Sequence, residues 1–116
     1  MSRLLDSLGT TQELAELFSD ASVLCAMLAF ETALARAQAR LGMIPNSAAD
    51  AIARAAQPEA FDAAAIARAA RQTASLAIPL VMALTERVHS LDESAAPFVH
   101  CGATTQDVID SALMLL

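Results

Sequence analysis

The stretch Asp20–Pro45, DASVLCAMLAFETALARAQARLGMIP, decides the fold class. Its apolar positions Val23, Met27, Phe30, Leu34, Ala37 and Leu41 recur every three or four residues, as on one face of an α-helix. No Gly or Pro interrupts it before Gly42. Ala, Leu and Met lose little side-chain entropy in a helix and so favour one. Asp20 reads as the N-cap, because its short side chain can accept from the free amides of the first turn. Gly42 supplies the left-handed residue that ends a helix, and Pro45 prevents its resumption. The pattern predicts a long helix over about 21–41.

Outward from it, the chain continues in the same idiom. Residues 1–19 open with a short amphipathic piece in which Leu14, Leu17 and Phe18 share a face behind Thr10 or Thr11 as cap. Asn46 or Ser47 can cap a second helix over about 48–57, stopped by Pro58. Asp62 caps a third over about 63–74, anchored by Ile66 among alanines. Leu76 to His89 form a fourth, where Pro79 is tolerated in the first turn. A last helix starts near Thr105. Neither repeat nor linker divides the chain, so 1–116 reads as one all-α domain with close, alanine-mediated helix packing.

Composition agrees. Of 116 residues, 28 are Ala and only seven are Gly or Pro, while aromatic residues make up 3%. β-Branched and aromatic side chains are too scarce for an all-β fold. The net charge is −6, and the seven bases, all Arg, form no cluster; a nucleic-acid partner is not expected. No uninterrupted apolar run approaches the ~20 residues that cross a bilayer, so no membrane partner is expected. The acidic residues of MSRLLDSLGTTQEL interrupt any signal-peptide core. Two cysteines, Cys25 and Cys101, make no disulfide framework. A reduced, cytoplasmic protein is the expectation. The last helix is apolar at Val108, Ile109, Ala112, Leu113 and Leu116, with no Gly cap, basic turn or polar tail after it. This predicts that the chain is part of something longer, and that the stripe needs a partner.

Chemistry concentrates in Phe98–Asp107, FVHCGATTQD. It is a loop that runs into a helix N-terminus, where free amides and the positive end of the dipole favour an anion. Gly102 would let the backbone approach closely, Thr104 and Thr105 add hydroxyls, and His100 adds a proton or a charged donor. A carboxylate or phosphate suits such a place. The same residues also read as a capping box, Thr104-x-x-Asp107, that needs no ligand.

The string VHCGATTQDVIDSALML (99–115) resembles the His-x-Gly-Ala-Thr-Ser/Thr-Gln-Asp-Val signature of the 3-carboxy-cis,cis-muconate cycloisomerases, within the fumarase/aspartase superfamily. ELFSDASVLCAMLAFETALARAQARLGMIP (16–45) and AIPLVMALTERV (77–88) agree with it in sequence and spacing. The resemblance spans essentially the whole chain but only the N-terminal helical domain of that family. Adenylosuccinate lyases typically carry Leu at the position of Ala103, so an adenylosuccinate-type lyase is the alternative. A non-enzymatic, Ala-rich interaction module is the alternative of another class.

The resemblance implies a catalytic role for His100 and substrate-carboxylate binding by Thr104, Thr105 and Gln106. Ser75 falls where the cycloisomerases often have Gly-Asn and adenylosuccinate lyases a substrate-contacting His; Ala74-Ser75 departs from both patterns. A small polycarboxylate substrate, no cofactor, no metal, and a homotetrameric parent are likewise implied. The family's second histidine region and its Gly-Ser-Ser-x-Met-Pro-x-Lys-x-Asn loop, which supplies the catalytic Ser, do not occur here. The segment alone is therefore expected to be inactive and to associate as a dimer. Elsewhere, His89 reads as a helix-end residue suited to the dipole, Cys25 as a small core residue, and Arg68 and Arg71 as a solvated face. His100, Cys101, Asp107 and Asp110 match no metal-ligand spacing.

Overall fold

A computed structural model describes residues 4–116. Seven α-helices follow in order: α1 (Leu4–Gly9), α2 (Gln12–Leu17), α3 (Asp20–Arg40), α4 (Asn46–Ala55), α5 (Ala63–Thr73), α6 (Ala77–Leu91) and α7 (Thr105–Leu115). Short 3-10 segments at Pro58–Ala60 and Glu93–Phe98 join them, and no strand occurs among the described residues.

α3 is the spine. It packs against α4 and α7, while α6 lies against α4, α5, α7 and the 93–98 turn. Leu28, Ile52, Leu80, Leu84, Val88 and Val108 are fully buried at the centre. Ala51, Ala55, Ala77 and Ala95 are buried between them. A methyl group at such positions lets helix backbones approach closely, which is how an alanine-rich chain builds a core with few large side chains.

The caps depart from the sequence expectation in two places. Ser19, not Asp20, is the N-cap of α3, accepting from the Ser22 amide at 3.2 Å. Asp20 becomes the first helical residue, where its charge still complements the dipole. Likewise α4 starts at Asn46 behind Pro45, without a side-chain cap from Asn46 or Ser47. At its other end, Arg87 Nε of α6 donates to the Ala55 carbonyl at 3.0 Å and satisfies a group the helix leaves open. Asp62 caps α5 as expected, and Pro79 sits buried in the first turn of α6.

The buried face of α3 also differs. Leu24, Met27, Leu28, Glu31, Ala35 and Gln38 point inward; of the set expected there Met27 is buried, Val23, Phe30, Leu34 and Ala37 are only half-buried, and Leu41 is exposed. An apolar count passes over the true face because two of its members are polar. Cys25, expected in the core, is exposed. By length and composition alone, Gln12–Arg40 is long and apolar enough to cross a membrane, which the count of uninterrupted apolar residues missed. In the fold, α2 ends before Ser19, and α3 turns a mixed face with two buried polar residues onto its neighbours. That is the pattern of a bundle's core helix.

Candidate functional site

After the 93–98 turn, the chain makes a tight loop before α7. His100 takes a left-handed backbone, φ 57°, and Gly102 takes φ 74°. The Ala103 amide bonds back to the His100 carbonyl at 3.3 Å. A left-handed histidine is uncommon and persists only where its surroundings over-determine it. At Gly102 a Cβ would meet only the Gln38 amide nitrogen, at 4.0 Å. The glycine is there for its φ, not for the close backbone approach the sequence suggested.

Two side chains of α3 hold this loop. Gln38 Nε2 donates to the Cys101 carbonyl at 2.6 Å, and Glu31 Oε1 lies 2.6 Å from His100 Nδ1. Glu31 is 1% exposed and the His100 side chain 14%. Burial raises the Glu31 carboxyl above its ordinary value of 4.5, and the adjacent imidazole pulls it partly back. Glu31 Oε2 and Gln38 Oε1 are buried without a hydrogen-bond partner among the described residues. Neither residue figured among the candidates read from the sequence. The signal was available: positions 24, 28, 31, 35 and 38 carry a 3.5-residue period into which both polar residues fall.

The start of α7 is a complete capping box. The Asp107 amide donates to Thr104 Oγ1 at 3.2 Å, and the Thr104 amide donates to Asp107 Oδ2 at 2.9 Å. The Thr104 amide foremost, and the Thr104 hydroxyl after it, hold the Asp107 carboxyl below its ordinary value. Thr104, Thr105 and Gln106 are all exposed. The Gln106 amide donates to Asp110 Oδ1 at 2.6 Å. The helix start thus presents Thr105 and Gln106 on its exposed surface, beside a loop whose His100 side chain is largely covered.

Ser75 does not share that surface by any hydrogen bond. Its Oγ accepts from the Ala77 and Ile78 amides at 3.2 and 3.4 Å, so it serves the start of α6. Hollows between α3 and α4, α3 and α5, α3 and α7, and α5 and α6 are lined by other residues. Thr104, Thr105 and Gln106 line none of these four hollows. Cys101 is exposed. His89 is exposed in the last turn of α6, 3.8 Å from Glu93. Arg68 and Arg71 are exposed on α5.

No family model matches the chain. It is 54% identical over 98 residues to the nitrosuccinate lyase of Streptomyces davaonensis, covering 84% of this chain and 21% of that protein. It is also 54% identical over 96 residues to the 3-carboxy-cis,cis-muconate cycloisomerase of Bradyrhizobium diazoefficiens, covering 83% and 21%. The crystal structure of the 3-carboxy-cis,cis-muconate lactonizing enzyme from Pseudomonas putida superposes with a TM-score of 0.88 at 43% identity, over 98% of this chain and 26% of that one. The chain has the fold of the N-terminal helical part of the fumarase/aspartase-type cycloisomerases, and its sequence is similar both to cycloisomerases and to a lyase. It spans about a quarter of the length of these relatives. The 98–107 loop is held by Gln38 and Glu31 of α3.

Proposed function

We propose that this chain is the N-terminal part of an enzyme that closes 3-carboxy-cis,cis-muconate to a lactone in protocatechuate catabolism. The observation that carries this reading is the complete His-x-Gly-Ala-Thr-Thr-Gln-Asp run, His100–Asp107, folded as one braced loop at a helix start. In the proposed reaction one substrate carboxylate oxygen bonds to an alkene carbon, and the displaced electron pair is held as an enediolate at another carboxylate. Hydrogen-bond donors stabilise that charge, and a general acid delivers the proton that completes the addition. His100 is assigned to catalysis, with Thr104, Thr105 and Gln106 holding substrate carboxylates. The Thr104 hydroxyl already accepts from Asp107, so its contribution would be its own O–H. Ser75 is kept as a binding residue only through juxtaposition in a larger assembly, since here its hydroxyl accepts from the first amides of α6. A homotetrameric, cytoplasmic enzyme acting on a small polycarboxylate without metal or cofactor completes the reading.

The 54% identity to a nitrosuccinate lyase favours a second reading, in which the same face serves an elimination that releases a nitrogen leaving group from a succinate skeleton. One experiment separates them. A protein of cycloisomerase length carrying this segment is assayed side by side with 3-carboxymuconate, nitrosuccinate and adenylosuccinate. Lactonisation of the first, lost on His100→Ala, supports the proposal. Turnover of either succinate derivative alone overturns it.

A further inference from the structure

We infer that Glu31 is a positioning residue that fixes the ring orientation and tautomer of His100, so that Nδ1 carries the proton and Nε2 is the nitrogen left for the site. The inference rests on the reading that His100 serves the active face. Three observations carry it. First, Glu31 Oε1 stands 2.6 Å from Nδ1, the short distance of a charge-assisted bond. Second, among the described residues the His100 ring is the one hydrogen-bond partner of the Glu31 carboxyl, whose other oxygen is buried without a partner there. A carboxyl held at 1% exposure is costly unless its contact does something a neutral group could not.

Third, the backbone of the loop is already clamped by a different residue. Gln38 donates to the Cys101 carbonyl, which a neutral amide does adequately. Among the described residues the Glu31 carboxyl makes no hydrogen bond to backbone, so what it orients is the imidazole. A carboxylate acceptor on Nδ1 selects the Nδ1–H form, and in a neutral imidazole the other nitrogen is then an acceptor. The strained His100 backbone, φ 57°, is consistent with a ring whose placement is dictated from α3 rather than by local preference.

The test is nitrogen NMR of the two histidine rings in the 15N-labelled 116-residue chain at neutral pH. Exposed His89 serves as the internal reference. The Nδ1–H form of His100 is expected to exceed the Nε2–H form by roughly tenfold or more, as a charge-assisted bond implies. Glu31→Met, which keeps the length but not the acceptor, should abolish that excess. Gln38→Met, which releases only the backbone clamp, should leave it in place. An Nε2–H ring in the unmodified chain overturns the proposal, as does an equal change in both variants. Should Glu31→Met not fold, the unmodified chain and Gln38→Met decide it by the same criteria. A fixed tautomer combined with no effect of His100→Ala on turnover in the longer enzyme would instead sink the functional reading alone.

Discussion

Thr104 and Asp107 hold the start of α7 through a reciprocal pair of bonds. Their reciprocal bonds satisfy two amides of α7, and Thr104→Ala is expected to lower stability by about 1 kcal/mol in urea denaturation. The two perturbed carboxyls carry opposite pH signatures. Asp107 titrates lower in the folded chain than unfolded, so its contribution is present above its ordinary value of 3.8 and is lost as pH falls through the folded value. Glu31 titrates higher when folded, so stability is fullest below 4.5 and declines as pH rises through the folded value. Urea midpoints of the unmodified chain and Glu31→Gln, compared from mildly acidic to neutral pH, should therefore diverge in the variant's favour as pH rises. A constant difference would mean that burial does not hold the Glu31 carboxyl up.

Helices α3 and α6 supply the scaffold, and each buries one face while leaving the other to solvent. Leu84 of α6 is fully buried while Met82, two residues away, is 65% exposed. Leu84→Ala should cost about 2–5 kcal/mol through lost burial and a residual cavity. Met82→Ala should stay within about 0.5 kcal/mol. Thermal unfolding of the pair checks the assignment of faces, and comparable losses would mean that α6 is rotated. On α3 the periodicity was legible as helical from the sequence, yet the inward face was misjudged. Glu31 and Gln38 look like solvent-facing residues to any apolar count, and only the loop that returns 69 and 63 residues later gives them partners.

Across the whole molecule, apolar surface is left open at both ends. Leu4, Leu5 and Leu8 of α1 are over 80% exposed, and α2 buries no side chain. At the far end Leu113, Met114 and Leu115 of α7 are exposed. The stripe expected on α7 is thus divided: Val108 and Ala112 close the core, Ile109 and Leu116 are half-buried, and Leu113 faces out. Patches of this kind are adhesive at ~25 cal/mol per Å², and a two-fold pairing closes them most simply. Sedimentation equilibrium is expected to show a dimer that Leu113→Asp shifts towards monomer. A strictly monomeric chain, or a dimer indifferent to that change, would place the contact elsewhere. The chain alone is expected to show no lactonisation in a spectrophotometric assay, since the Ser-bearing loop is not in its sequence.

What the sequence by itself determined is what depends on neighbours a few residues away. Helix class follows from the 3.6-residue period, α5's start from Asp62, and the end of α3 from Gly42. The box at α7 follows from Thr104 and Asp107 three residues apart, and the chemistry-bearing run from its own order. Tertiary structure alone decided which face of α3 turns inward, that Cys25 is exposed, and that His100 rests on Glu31. Each of these joins residues distant in the chain or weighs one face against another. Their outcome is set by which groups meet once the helices pack, because a buried carboxyl or amide is tolerated only where a partner arrives to meet it.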